Sequence, residues 1–333
     1  MGLRMTVLAA VATGVLAAPC GGIAPRLGLP TDVPGVLDTA GRAVTNFVVD
    51  SSECPKLEVE PTVDEEYSLG SALAIHWAER GGGLLLKAGD AKTRELHVYL
   101  NTVGKNLGAQ SARPTLQWTF GVLRDPESFN AVSAPGGYVF VTRKLLEGVD
   151  NEAQLAGVLA HEIAHVVHRH AITHYNSAKV SECRAAAAGR ALSAEVVGPA
   201  LRSALDVHGG NLLLEKNAEL LGAMTEKTLE LVLEKGNSKK QEHEADALAV
   251  RLMLSAGYDP GEYRKLIAKT DEGGGFSNHP SRKERLANIE AVIQEARKGG
   301  DGFQELPTEG LRAPPLKLEL TAVIRPNVAK DTP

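Results

Sequence analysis

A run of two histidines and a glutamate, His161-Glu162-Ile163-Ala164-His165, restricts the fold of this chain more than any other feature of its sequence. Apolar residues recur around it at helical spacing, and Asn151 stands where a helix N-cap is expected. The pattern predicts one helix over about 151–174. Because each helical residue advances by about 100°, His161 and His165 project from one face of that helix.

Two imidazoles four residues apart on a helix can bind one zinc ion. Glu162 is offset from both histidines and can reach a water molecule bound by that zinc, whose pKa the metal lowers to about 7. Glu162 is therefore the candidate general base, which takes a proton from the water and returns it to a leaving amine. The alternative is a solvated helix face that carries two histidines by chance.

Further histidines follow the pair. His168 lies seven residues after His161 and shares its helical face, so it is a candidate contact behind the ligands. His170 and His174 are predicted to point elsewhere.

A catalytic zinc needs a third protein ligand and an open position. The segment Glu242-His243-Glu244-Ala245-Asp246 stands near the start of a later predicted helix. Glu242 and Asp246 share a face, so Glu242 is a candidate ligand and Asp246 a candidate acceptor for the distal nitrogen of a ligating histidine. His243 and Glu244 are alternative ligands on spacing alone, and acidic residues at a helix start also complement the helix dipole.

The remaining pattern predicts an α+β fold that is mainly helical. Helical spacing covers about 63–110, 175–235 and 281–297, and alternation from Leu116 to Val122 predicts a strand. A glycine-rich turn precedes a second predicted strand. The expected architecture is a mainly helical domain with a small β-sheet beside the helix of the histidine pair.

That turn and strand are also the candidate substrate-binding segment, through Gly136, Gly137, Tyr138 and Val139. A glycine-rich entry to a strand can present backbone N–H and C=O groups to an extended peptide. An internal strand with no role in substrate binding is the alternative.

The N-terminus has the pattern of an export signal over residues 1–20. Arg4 precedes an apolar run over 5–18, which is shorter than the roughly 20 residues that span a bilayer. Cys20 is a candidate for lipidation and membrane attachment, although Pro19 departs from the lipoprotein pattern. A buried N-terminal helix is the alternative. We expect a leader over 21–62, a metallopeptidase domain over 63–297 and a poorly ordered tail over 298–333.

The cysteines and the net charge bear on disulfide formation and on the kinds of molecule that the chain binds. Cys54 and Cys183 either form a disulfide in an oxidising compartment or remain as buried thiols. The net charge of -5, without a concentrated stripe of Lys and Arg, argues against nucleic-acid binding. The pattern does not indicate an oligomeric state.

Several motifs occur together in a fixed order over about residues 63–296. They are Asn130-Ala131, Pro135 to Thr142, the histidine run continuing to Arg169-His170, Glu242 to Asp246, Ala256 to Pro260, and His279-Pro280 with Arg285 and Ile289 beyond. This set resembles the zinc metallopeptidase family that includes the CAAX prenyl endopeptidases, HtpX, BepA and LoiP.

The resemblance implies one zinc per chain. Glu242 would be the third ligand, and Asp246 would be the aspartate of the family's Glu-x-x-x-Asp motif. It also implies that His279 lies near the metal, where it donates to the oxyanion or occupies the open position, and that Arg285 helps to hold the oxyanion region. A loop histidine and a surface arginine are the structural alternatives.

The resemblance further implies a zincin-type metallopeptidase fold and a zinc endopeptidase. Since no apolar run of about 20 residues is present, the chain differs from the multi-span members and resembles the compact exported, sometimes lipid-anchored bacterial ones. We expect it in the bacterial periplasm or envelope, acting on unfolded or misfolded envelope proteins. The alternatives are an envelope chaperone with minor proteolysis and a zinc hydrolase of non-peptide amides.

Overall fold

The computed structural model describes residues 52, 54–86, 90–196, 236–269, 281–298 and 309–316. The predicted signal peptide, Cys20 and His279 lie outside these residues. The chain divides into two packing units, one comprising 1–59 with 176–221 and the other 60–175 with 222–333.

The unit formed by 60–175 and 222–333 is mainly helical, and the predicted α+β class is confirmed. Its helices are α1 Val63–Arg80, α2 Ala91–Ala109, α3 Arg143–Gly148, α4 Glu152–Val167, the first turns of α5 His170–Val196, α6 Lys239–Ser255, α7 Pro260–Lys269 and α8 Arg282–Arg297. Side-chain N-caps begin six of them, at Thr62, Asp90, Thr142, Asn151, Ser238 and Ser281. A cap of this kind contributes about 1 kcal/mol because it satisfies a backbone N–H that has no partner within the helix.

The predicted single helix over 151–174 is two helices. α4 ends at Val167 and α5 begins at His170. The chain turns at Arg169, whose φ of 56° lies in the left-handed region that a non-glycine residue rarely adopts. Since no glycine or proline marks this turn, the sequence pattern did not reveal it.

The β-sheet has three strands, β1 Thr119–Leu123, β2 Ala131–Ala134 and β3 Tyr138–Thr142, in the order β1-β3-β2. β3 pairs with β1 in parallel and with β2 antiparallel. Both edges of β3 are therefore occupied, and a strand in this position has no free backbone groups for a peptide. This corrects the prediction that Tyr138 and Val139 form a substrate-binding edge.

The glycines before β3 serve the turn instead. Gly136 and Gly137 are buried and have φ values of 78° and 96°, which favour glycine. The N–H of Gly136 donates to Glu66, whose carboxylate also binds Arg113. These two glycines thus have a role in the turn, and their role in substrate binding stays a prediction.

α4 lies at the centre of the hydrophobic core. Every residue from Ala153 to Val166 is buried, against α2, α6, α7 and the sheet. Gly157 allows α7 to approach, because a Cβ at this position would lie 2.5 Å from the Tyr263 side chain. The helix that carries the histidine pair is thus packed on several sides, which restricts the movement of its side chains.

Residues 309–316 pack on this unit. The backbone of Arg312 bonds Gly257 and Asp259, and the N–H of Glu152 at the start of α4 donates to the carbonyl of Pro314. This part of the predicted tail over 298–333 therefore has backbone hydrogen-bond partners in the domain.

The other unit contains the short 3₁₀ turn Cys54–Leu57 and the part of α5 from Asn176 onward. A disulfide joins Cys54 to Cys183, with Cα atoms 5.7 Å apart. Of the two alternatives left open by the sequence, the structure shows the bridge. Among the described helices of the whole chain, none is long and apolar enough to cross a membrane.

Candidate metal centre

Two helices bring three ligand groups together at the middle of the domain. The Nε2 atoms of His161 and His165 on α4 lie 3.0 Å apart. Each lies 3.5 Å from a carboxylate oxygen of Glu242 on α6. All three side chains are buried, and one ligand atom from each lies within 4.8 Å of the other two.

Local structure accounts for this placement. The two histidines are one helical turn apart and share a face of α4. Glu242 lies in the first turn of α6, directly after a capping box in which Ser238 and Gln241 bind each other's backbone N–H. The packing of α6 against α4 then directs the Glu242 carboxylate at the histidine pair.

The charge of the cluster suits a cation. Burial and the Arg285 guanidinium lower the pKa of His161, but Asp246 and Glu242 outweigh them and raise it to about 9. The two carboxylates thus favour positive charge at this point of the cluster. Two imidazole nitrogens and a carboxylate are the donor set of a catalytic zinc site, so these residues fit the ion.

Asp246 orients the first histidine. Its Oδ1 lies 3.0 Å from Nδ1 of His161, and its two oxygens accept hydrogen bonds of 2.7 and 3.0 Å from Arg285. The Tyr263 hydroxyl donates to the same carboxylate at 2.9 Å. Burial raises the pKa of Asp246, but the Arg285 charge and the His161 hydrogen bond hold it well below its usual range. Asp246 is therefore an ionised acceptor that places the His161 proton on Nδ1 and leaves Nε2 free to ligate.

The second histidine has a different neighbour. Nδ1 of His165 lies 2.8 Å from Nδ1 of His170, whose Nε2 lies 3.5 Å from Glu244. Burial and the charge of His168 lower the pKa of His170 to about 4. His168 itself is exposed at the end of α4 and stacks on His170, so the predicted contact of His168 with the ligands is wrong.

Glu162 lies beside the cluster with its carboxylate buried. The Ser133 hydroxyl on β2 donates to its Oε2 at 2.8 Å. Burial raises the pKa of Glu162, whereas the His161 charge and the Ser133 hydrogen bond oppose that shift. A raised pKa brings a carboxylate closer to the pH at which it can both accept and return a proton.

The structure brings together most of the residues that the sequence indicated. They are His161, Glu162, His165, Glu242, Asp246 and Arg285. The alternative ligands lie outside the ligand set, because His243 is half-buried with its carbonyl bound by Asn288 and Glu244 contacts His170 and Lys240. Arg285 is 3% exposed and binds Asp246 and Tyr263, rather than lying on the surface.

Three contributors were missed. No sequence pattern distinguishes Ser133, and the pattern around Tyr263 indicates only a buried aromatic residue. His170 was visible in the Arg169-His170 motif, but its direction could not be deduced without the turn at Arg169.

Two histidines one turn apart on a buried helix, a glutamate beside the first and a carboxylate from a second helix define a metallopeptidase of the zincin class. The family model described as Peptidase family M48 matches residues 92–293. The chain belongs to this family.

Similar proteins include a fungal and several bacterial members. The mitochondrial metalloendopeptidase OMA1 of Schizosaccharomyces pombe is 33% identical over 219 residues, which are 62% of this chain and 57% of that protein. The beta-barrel assembly-enhancing protease of Escherichia coli is 25% identical over 225 residues, 64% of this chain and 41% of that protein. The putative enzyme of that name in Vibrio cholerae is 26% identical over 186 residues, 56% of this chain and 35% of that protein. The matched region thus covers at most 57% of the length of these relatives.

Proposed function

We propose that this chain is a zinc-dependent endopeptidase with one zinc ion held by His161, His165 and Glu242. One observation carries the proposal: two buried imidazole Nε2 atoms 3.0 Å apart face a buried carboxylate, beside a second carboxylate with a raised pKa. The names of the relatives, a metalloendopeptidase and a protease, support the same activity.

In this proposal the zinc, when bound, acidifies a water molecule and polarises the scissile carbonyl. Glu162 takes the proton of the attacking water and later gives it to the leaving amine. Ser133 holds the Glu162 carboxylate in place. Asp246, fixed by Arg285, orients the ring of His161.

The open edge of β2 is the place for an extended peptide. Thr142 N–H donates to the Asn130 carbonyl, which makes this pair a hydrogen-bonded one in the β2–β3 ladder. By alternation, the N–H and C=O of Ser133 point away from β3. Among the described strands none lies on that side, so Ser133 can present its backbone to a substrate and its hydroxyl to Glu162.

Recognition of backbone groups suits substrates without defined structure. We therefore propose unfolded or misfolded polypeptides as the substrate class. An envelope location, after export and with attachment through Cys20 as an option, is supported by the sequence pattern of residues 1–20 and by the beta-barrel assembly named for the bacterial relatives.

The test combines metal analysis with cleavage of casein, an unfolded substrate. Purified protein should contain about one zinc per chain and cut casein, and Glu162→Gln should keep the zinc and lose cleavage by several orders of magnitude. Glu95→Gln, on the exposed face of α2, is the matched control. Full cleavage by Glu162→Gln would refute the proposed base. A protein that prevents aggregation equally well with Glu162→Gln, and never cuts casein, would indicate the chaperone alternative.

A further inference from the structure

We infer that His170 is a positioning residue for the proposed metal site, and that its Nδ1 accepts a hydrogen bond from the Nδ1–H of His165. This inference rests on the proposed zinc ligation and deepens it, because it assigns how the second ligand is oriented.

The contact is short and buried. The two Nδ1 atoms are 2.8 Å apart, and the rings meet edge to face, with centroids 5.0 Å apart and an interplanar angle of 70°. His165 is 6% exposed and His170 4%. A hydrogen bond of this length between two ring nitrogens requires that one carries the proton and the other a lone pair.

Ligation decides which ring donates. His165 faces His161 and Glu242 through Nε2, so a metal bound there takes the Nε2 lone pair. The proton of neutral His165 is then on Nδ1 and must be donated, which makes Nδ1 of His170 the acceptor. The remaining proton of His170 is on Nε2, which points toward Glu244 at 3.5 Å.

The backbone places His170 for this role. Five residues along an uninterrupted helix, its side chain would point about 140° away from that of His165. The left-handed φ of Arg169 breaks the helix and starts α5 at His170, which returns the ring to the ligand. A strained residue of this kind persists where surrounding contacts require it.

The two ligands are thus oriented differently. Nδ1 of His161 lies 3.0 Å from a carboxylate oxygen, whereas Nδ1 of His165 lies 2.8 Å from an imidazole nitrogen. Asn237 is a rival partner of His165, since its side-chain amide nitrogen, a donor, lies 3.3 Å from the same Nδ1. The experiment therefore separates His170 from Asn237, and hydrogen bonding from packing.

We suggest measuring the zinc affinity of the purified full chain by competition with a chromophoric chelator. His170→Phe keeps a ring but has no acceptor, whereas His170→Asn keeps an acceptor near the position of Nδ1 without the ring. Loss of a hydrogen-bond partner behind a ligand typically weakens metal binding by about 10- to 100-fold. We expect that loss for His170→Phe and most of the affinity to return in His170→Asn. His97→Phe, a half-buried histidine on α2 that contacts the Leu85 carbonyl, is the matched control and should bind zinc as the wild type does.

The possible results are distinguishable. If His170→Phe binds zinc normally while folding normally, as shown by circular dichroism, the inference is overturned. It is also overturned if His170→Asn is as weak as His170→Phe, because the ring would then matter only for packing, or if Asn237→Ala alone reproduces the loss. Absence of zinc binding by the wild-type chain would instead refute the proposed metal site.

Discussion

The hydroxyl of Ser133 donates a 2.8 Å hydrogen bond to Oε2 of Glu162. It connects the edge strand of the sheet to the helix that carries the histidine pair. Because the backbone of Ser133 faces the open edge of β2, one residue links the proposed peptide-binding edge to the proposed general base.

Removal of this hydroxyl should slow the chemical step. We expect Ser133→Ala to lower kcat by about 10- to 150-fold with little change in KM, since a hydrogen bond to a charged group is worth about 1.5–3 kcal/mol and 1.4 kcal/mol is a factor of ten. Ser133→Thr retains the hydroxyl and should be closer to the wild type. Steady-state casein or peptide cleavage, with Ser71→Ala on α1 as control, would check this. An unchanged kcat in Ser133→Ala would argue against it.

Glu242 should be the third ligand. Glu242→Ala is expected to reduce the zinc content sharply, whereas His243→Ala should retain it, because the His243 side chain lies outside the ligand set. Inductively coupled plasma mass spectrometry on dialysed protein measures both. The reverse result would assign the ligand to His243.

Chelation of the wild type should lower its melting temperature, since a bound metal stabilises the folded state.

Arg285 should contribute strongly to stability. Arg285→Met leaves the buried Asp246 carboxylate without its cation, and breaking a buried pair in this way costs about 3–5 kcal/mol. Arg264→Met removes a half-exposed partner of Glu290 and should cost no more than about 1 kcal/mol. Urea unfolding of both variants in the metal-free form gives the comparison. Equal stability of the two variants would be evidence against the proposed support of Asp246.

His279 lies outside the described residues, and its role remains a prediction from the sequence. If it stabilises the oxyanion, His279→Ala should lower kcat by about 10²-fold with little change in KM. If it only blocks the open zinc position, basal cleavage should rise. Unchanged kinetics together with unchanged zinc affinity would exclude both roles.

Export can be tested on the native protein. We expect a new N-terminus near residues 18–20, because Arg4 and the apolar run over 5–18 have the pattern of a signal peptide. Intact-mass spectrometry would show either this cleavage or an unprocessed Met1, which would contradict it. A mass that matches acylated Cys20 would establish lipidation.

Features confined to one helix could be deduced from the sequence. The shared face of His161 and His165 follows from 3.6 residues per turn, and Asn151 and Ser238 act as N-caps through contacts within three residues. The helical character of the fold and the presence of an apolar face on a helix are encoded in the same local periodicity.

Relations between elements were decided only by tertiary structure. Glu242 faces the histidines, rather than His243 or Glu244, because α6 packs on α4 with the Glu242 side turned toward them. Sequence spacing does not specify this rotation of α6 about its own axis. The sheet order places β3 in the centre and β2 at the edge, so the proposed peptide-binding edge is at Ser133 and not at Tyr138. A single dihedral angle at Arg169 turns His170 toward His165. Periodicity reports the direction of a side chain within its own element, whereas these contacts depend on long-range packing and on one backbone angle that no local pattern encodes.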